Sequence, residues 1–510
     1  MAFAVVWFVD EVVEGKGQES IGGGASTWHL TRQGFVRGLG LVYAVVFVST
    51  WVQIHGLIGS RGLVPVGRQM EWFEANLGAG WVLERPTLLW LGSGDGALDL
   101  VCGLGVLAGA MMAAGVVPIV AAVMAWALYM SIVNVGGPFM LFQWDGLLLE
   151  VGLVAVFLSP AQLWSRWETS APPSRWMLWA LHAVLFRLMF GSGFVKLASG
   201  DPTWRSLTAL EHHYQTQPLP TWVGWYAHHL PDIVGRASVG AMFAIELAAP
   251  LLIFWPRKVR MVGAALMIAL QLALVATGNF AFFTVLTLLL CLTLFDDRAL
   301  EKLLPTHLRP LKIPEAQPAR WKVWGLRTVA VLMIALGAVA LVGTVGRGKA
   351  LGVALQEATA PISGWHLAGR YGVFATMTTN RREIVLEGSV DGVVWEPYGF
   401  AWKPGDVRRP PSFVAPHQPR LDWQMWFAAL QDCRRVYWLH TLMQRLLERE
   451  PAVADLLEHD PFEGQPQGPR FIRALAYQYR FAPWDDPSGR WWTRQLEGLY
   501  CPVSTLPAAQ

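Results

Sequence analysis

The sequence predicts an all-α polytopic membrane helix bundle of about nine spans, followed by a C-terminal α+β extracytoplasmic domain. Three observations carry that prediction. Hydrophobic residues make up 54% of the 510 residues and charged residues only 15%, well below the roughly 25% charged of an ordinary globular chain. Apolar runs approach the ~20 residues that a spanning helix needs. Beyond residue 347 the pattern changes to alternation and Pro-rich connections. The 27 Trp residues suit membrane–water interfaces, where an amphipathic ring is stable. A net charge of +3 gives no footprint for nucleic acid.

The nine candidate spans are 37–58, 97–115, 117–135, 142–159, 176–197, 233–255, 259–277, 280–295 and 324–346. The fourth and eighth are short. Only Val116, Val117 and Pro118 separate the second from the third, so these two also read as one long kinked element. The N-terminus is apolar for nine residues and then acidic at Asp10, Glu11 and Glu14. It lacks the basic start and small-residue cleavage site of a signal peptide.

Positive loops stay cytoplasmic. The connection 296–327 carries Arg298, Lys302, Arg309, Lys312, Arg320, Lys322 and Arg327; the turn 256–260 carries Arg257, Lys258 and Arg260; the connection 160–175 carries Arg166 and Arg175. Alternate counting puts the N-terminus inside with Lys16, Arg32 and Arg37. The opposite connections are nearly bare, apart from Arg205 in 198–232 and Arg61, Arg68 and Arg85 in 59–96. The chain thus divides into a transmembrane domain, 1–350, with outer loops 59–96, 134–145 and 198–232, and a soluble domain, 351–510, outside the cytoplasm.

In that tail, Glu383–Val390, Asp391–Gly392 and Val393–Trp402 read as a hairpin with a tight turn. Residues 404–420 read as a loop. Segments 422–432 and 436–450 have helical periodicity, and 470–481 and 491–500 read as strands. Cys102 and Cys291 lie in apolar runs. In an extracytoplasmic tail, Cys433 and Cys501 either form a disulfide or remain two thiols.

Ionisable groups inside spans are expensive and mark sites by default. The candidate cluster is Asp145, Glu150, His182, Arg187, Lys196 and Glu246, with His55 and Asp99 nearby. Pairing such as Glu150–Arg187 or Asp145–Lys196 gives them a structural role; a cavity beside them gives a catalytic one. Lys196, near the end of its span, also has the option of snorkelling to the interface. The pairs His212–His213 and His228–His229 invite a metal reading, but adjacent side chains on a helix diverge and no Cys or paired carboxylate completes a ligand set. No metal, cofactor or catalytic nucleophile is expected; a Gly-x-Ser-x-Gly elbow is absent.

The run 142–152 (FQWDGLLLEVG), the segment from Phe186 to Pro220, the tail motif Pro419-Arg420-Leu421-Asp422-Trp423, the opening Gly59–Pro65 and the closing Leu499-Tyr500-Cys501-Pro502 resemble the lipase maturation factor family over about 37–502. The resemblance implies a membrane-embedded, non-enzymatic factor for folding or assembly of secreted lipases or related exported proteins. It places a eukaryotic member in the endoplasmic reticulum membrane and a bacterial one in the inner membrane. With 32 Arg against 8 Lys and only four Asn, the composition hints at a bacterial source, and no N-glycosylation sequon exists. The expected client-facing surface comprises Trp144, Asp201, Trp204, His212, His213, Tyr214, Asn279, Arg420, Asp422 and Trp423, with Trp222, Trp225 and Trp426 as further apolar anchors. A more distant likeness to the vitamin K-dependent carboxylase superfamily implies an intramembrane enzyme using Lys196 or His182. A transporter is a third reading, disfavoured because no internal repeat is found.

Overall fold

A computed structural model describes residues 27–165, 173–302, 319–345 and 350–506. The acidic N-terminal stretch and the cations Lys16, Arg166, Arg309 and Lys312 lie outside the described residues.

The helices follow the apolar runs. They are α1 (His29–Trp51), α2 (Asp95–Ala114), α3 (Pro118–Val135), α4 (Gln143–Leu158), α5 (Arg175–Ala198), the short α6 (Ala209–Thr216) and α7 (Trp222–His228), α8 (Asp232–Ala248, extended by a 3₁₀ turn to Phe254), α9 (Arg257–Thr277), α10 (Phe283–Leu292) and α11 (Arg320–Val345). Seven of the described helices are long and apolar enough to cross a membrane: α1, α2, α3, α5, α8 with its 3₁₀ turn, α9 and α11. The fourth and eighth expected spans, α4 and α10, have 16 and 10 residues. At 1.5 Å per residue they reach roughly 24 and 15 Å, short of a hydrocarbon core of about 30 Å. The second and third expected spans, 97–115 and 117–135, are two separate helices and not the one kinked element that was the alternative. Pro118 opens α3 while Val117 adopts a positive φ of 36°, and the Val117 N–H donates to Leu163 O at 2.8 Å.

Both shorter helices nevertheless join the two ends of the bundle. At the N-terminal end, Asp297 accepts from the backbone N–H groups of His29 and Leu30, and Gln33 donates to the Ser165 hydroxyl. At the other end, Ser49, Gln53, Phe139, Asp145 and Asn279 all touch the segment 412–420. Helix α4 runs from the second group to the first, and α10 does the same.

The tail supplies β1 (Arg381–Ser389), β2 (Glu396–Pro397), α12 (Arg420–Ala429), α13 (Tyr437–Leu447), β3 (Phe471–Phe481) and β4 (Trp492–Ser504). They form one antiparallel sheet in the order β2-β1-β3-β4. The expected return strand of the hairpin, 393–402, shrinks to two paired residues. Asp391 ties down the N–H groups of Val393 and Val394, Pro397 has no N–H to donate, and Gly399 leaves the sheet to bridge His459. A Cys433–Cys501 disulfide joins the turn before α13 to β4. A single hydrophobic cluster runs from the membrane helices through Trp144 and Trp423 into Leu439 and Ile472.

Candidate functional site

The chemistry-bearing residues gather where the tail meets one end of the bundle. Helix α12 starts directly after Pro419, and its first residue, Arg420, enters the mouth of the bundle. The guanidinium grips Asp145 with two contacts of 3.0 Å and donates to Phe139 O at 2.6 Å. Tyr129 Oη donates to the same carboxylate at 2.5 Å. All three polar groups are buried. A forked guanidinium on a carboxylate is the strong, directional form of a buried ion pair. Asp145 therefore pairs with Arg420 in the tail, and not with Lys196 as the span-to-span reading expected. Burial tends to lower the basicity of Arg420, but the Asp145 charge, with the hydrogen bond to Tyr129, outweighs it and holds the guanidinium above its ordinary range.

Trp144, one residue before Asp145, donates its indole N–H to Gln418 at 2.7 Å and packs against Phe142 and Trp423. Asp422 accepts from the N–H groups of Trp402 and Lys403, and burial raises its affinity for a proton despite those bonds. Lys403 reaches Glu383 at 2.8 Å. Arg381 pairs with the same carboxylate and caps the carbonyls of Gln215, Gln217 and Pro218 in the connection 198–232. Asn279 donates to Ser412 O and accepts from the N–H groups of Val414 and Ala415. Trp426 donates to Thr216 O at 2.7 Å.

A second hub lies deeper. Glu150 on α4 pairs with Arg187 on α5, and its other oxygen accepts from Gly369 N at 2.8 Å and Tyr371 Oη at 2.5 Å. A Cβ at Gly337 on α11 would lie 1.9 Å from Arg187 Nη1, so a larger residue there would push the guanidinium from its place beside Glu150. A third pair sits at the end of α5. Lys196 is buried against Glu246, 2.9 Å from each oxygen, and lies over the Trp204 ring. It does not snorkel to the interface, because Glu246 neutralises it in place. His182 faces Thr293 O at 3.0 Å, and His55 pairs with Asp99 at 2.8 Å.

The residues expected at a client-facing surface differ in burial. Trp144, Trp204, His213, Asn279, Arg420, Asp422 and Trp423 are buried, as are the proposed anchors Trp225 and Trp426. Among them, Trp144, Trp204, Asn279, Arg420, Trp225 and Trp426 make hydrogen bonds that join the tail to the bundle and its connections. Asp201, His212 and Tyr214 are half-buried. Asp201 caps Thr203 and accepts from Met377 N. His213 is packed between Phe280 and Phe374. Its pKa is pushed down to about 4, first by burial and then by the Lys196 charge. Trp222 remains exposed. Among the described residues no group of three or more His, Cys, Asp or Glu side chains is placed to hold a metal.

Sequence reasoning missed the partners on the tail side: Arg381, Glu383, Lys403, Gln418 and Tyr371. A signal existed for two of them. Arg381 and Glu383 are two apart on an alternating strand and so share its inward face. A cavity of about 350 Å³ lies beside the deeper hub, lined among others by Gly146, Leu336, Val339, His366 and Gly369.

This geometry defines a polytopic membrane protein whose C-terminal α+β unit is clamped onto one end of its helix bundle by the buried Asp145–Arg420 pair and by hydrogen bonds to buried groups of the bundle. The chain belongs to the lipase maturation factor family. The family's transmembrane domain matches residues 30–302 and its C-terminal domain residues 367–502. Lipase maturation factor 1 of Homo sapiens is 33% identical over 94% of this chain and 88% of its own length. Lipase maturation factor 2 of Mus musculus is 35% identical over 93% of this chain and 83% of its own. Lipase maturation factor 1 of Bos taurus is 33% identical, with 94% and 89% covered. No solved structure matches.

Proposed function

We propose that this protein is a membrane-embedded maturation factor that helps secreted lipases, or related exported proteins, reach their active form. One observation carries the reading: relatives named as lipase maturation factors align with it nearly end to end, through both the helix bundle and the tail. The pairing of the intramembrane charges supports a non-enzymatic role. Asp145, Glu150, Lys196 and Glu246 each hold an oppositely charged partner, so each is occupied structurally, and an unpaired low-pKa base for proton transfer is not among them.

The reading includes a topology. Nine crossings, with α4 and α10 as short ones, put the N-terminus in the cytoplasm and the tail outside it. Two features support this. Of the connections joined to the tail, 136–142, 198–232 and 278–282 carry only Arg205 among them, and the Cys433–Cys501 disulfide suits an oxidising compartment. The membrane is the endoplasmic reticulum for a eukaryotic source and the inner membrane for a bacterial one. Deleting the gene and assaying exported hydrolases tests the function. The expected outcome is lipase that is made but has low specific activity, restored by the wild-type chain. Normal specific activity of every exported hydrolase would sink the proposal.

A further inference from the structure

The tail and the connection 198–232 share one exposed aromatic shelf. Trp222 and Tyr226 come from α7, Phe413 from the segment leading to α12, and Trp484 from the turn between β3 and β4. All four are exposed, Trp484 by 62%. Their rings form a contiguous surface: Trp222 lies 6.1 Å from Tyr226 and 5.7 Å from Phe413, and Tyr226 lies 5.3 Å from Trp484. Buried Trp225 holds the shelf from beneath. It stacks on Trp484 at 5.5 Å and donates its indole N–H to Trp491 O at 3.2 Å.

The shelf stands at the ends of two peripheral spans. Thr221, capping α7, donates to Ala276 O near the end of α9 at 2.8 Å, and Pro220 bridges Gly278. Helix α8 begins at Asp232, four residues after α7 ends. The spans built on α8 and α9 are only 28% and 22% buried within the protein, so most of their apolar surface faces outward. Leu230, just before α8, and Ile233 (72%) and Val234 in its first turn are exposed as well. A large apolar patch this contiguous needs a partner. Rings with an apolar body and a polar N–H or O–H are stable at the headgroup level of a bilayer.

We infer that the shelf is a membrane seat: the β3–β4 turn of the tail, led by Trp484, lies in the headgroup region beside α8 and α9. The tail is then a unit resting on the lipid surface as well as on the bundle. The partner is a zwitterionic lipid surface. Asp485 and Asp486 follow Trp484, and Asp486 already holds Arg490 at 3.0 Å, so attraction to anionic headgroups is not what seats the turn.

Nitroxide labels at Trp484→Cys and Phe413→Cys, in the full chain in phosphatidylcholine nanodiscs, test the seat. The two free cysteines, Cys102 and Cys291, are buried. A label at Val393→Cys is the aqueous control. That residue is 80% exposed in the turn after β1, beyond the far end of a strand that runs roughly 26 Å from Arg381 to Ser389 at about 3.3 Å per residue. The expected result is loss of relaxation by an aqueous nickel chelate, with strong relaxation by bilayer-dissolved oxygen, at 484 and 413, and the reverse at 393. Nickel access at both shelf positions equal to that at 393 overturns the inference. Shielding that develops only after a lipase is added also overturns it, and makes the shelf a protein contact. The test does not depend on the proposed function, because it needs only α8 and α9 to cross the bilayer.

Discussion

Arg420 and Asp145 lie 275 residues apart in sequence and form a buried, doubly bonded ion pair. Removing one partner of such a pair leaves an uncompensated buried charge, at a cost of about 3–5 kcal/mol. Arg420→Gln is therefore expected to lower the unfolding temperature in detergent sharply. The double variant Asp145→Asn with Arg420→Gln is expected to recover part of that loss, and additive losses would show that the two do not interact. His213 gives a pH prediction. Its pKa falls from 6.5 in the unfolded chain to about 4 in the fold. The unfolded state thus binds the proton first as pH drops. Its contribution to stability is full above about pH 6.5 and is lost as pH falls through about 4. The half-buried His366, near the Arg85 charge, is likewise pushed down to about 4. Thermal unfolding between pH 7 and pH 4.5 is expected to show a falling midpoint, and His213→Leu a shallower slope. At this scale Glu150–Arg187 was legible, because charges on two neighbouring apolar runs must meet something. Asp145–Arg420 was not, because Arg420 sits in a polar tail where an arginine needs no special explanation.

Hydropathy makes helices legible because span length is set by the bilayer, and α1, α2, α3, α5, α8, α9 and α11 all follow their apolar runs. It is silent on how they pack. Helices α1 and α2 cross backbone to backbone at Gly40 and Gly109. A Cβ at Gly109 would lie 2.6 Å from Ala44 N and one at Gly40 would lie 2.5 Å from Ala113 N. Small residues of this kind allow close approach in membranes. Gly109→Ala is expected to cost about 1–3 kcal/mol by overpacking. Gly96→Ala, in open space on the same helix, is the control that should be nearly silent in the same unfolding assay. The β2 strand illustrates the opposite limit: a tight Asp-Gly turn was readable, but the length of the return strand was decided by Pro397 and by His459, which lies 60 residues further on. The disulfide closes a loop of 68 residues. Chain-entropy arguments give such a bridge about 4 kcal/mol. Cys433→Ala with Cys501→Ala is expected to loosen β4, seen as faster amide exchange along β3 and β4 with the helix bundle little changed.

Across the whole molecule, composition and the Lys/Arg distribution revealed the membrane class, and long motifs revealed the family. The docking of the tail was hidden because its contacts are made by side chains that read as loop or belt residues. The clamp also has a consequence in time. The chain is made from its N-terminus, so the helices carrying Tyr129, Asp145 and Glu150 are made long before Arg420 and Tyr371 exist. Until the tail arrives, Asp145 and Asn279 hold polar groups that wait for partners encoded near the end of the message. A chain stopped before residue 412 has every span and yet no means of closing its own mouth. Pulse–chase of such a truncation should show normal insertion followed by rapid degradation. Segment 412–420 is then the completion signal that such a truncation removes: a copy becomes durable once its mouth has been closed.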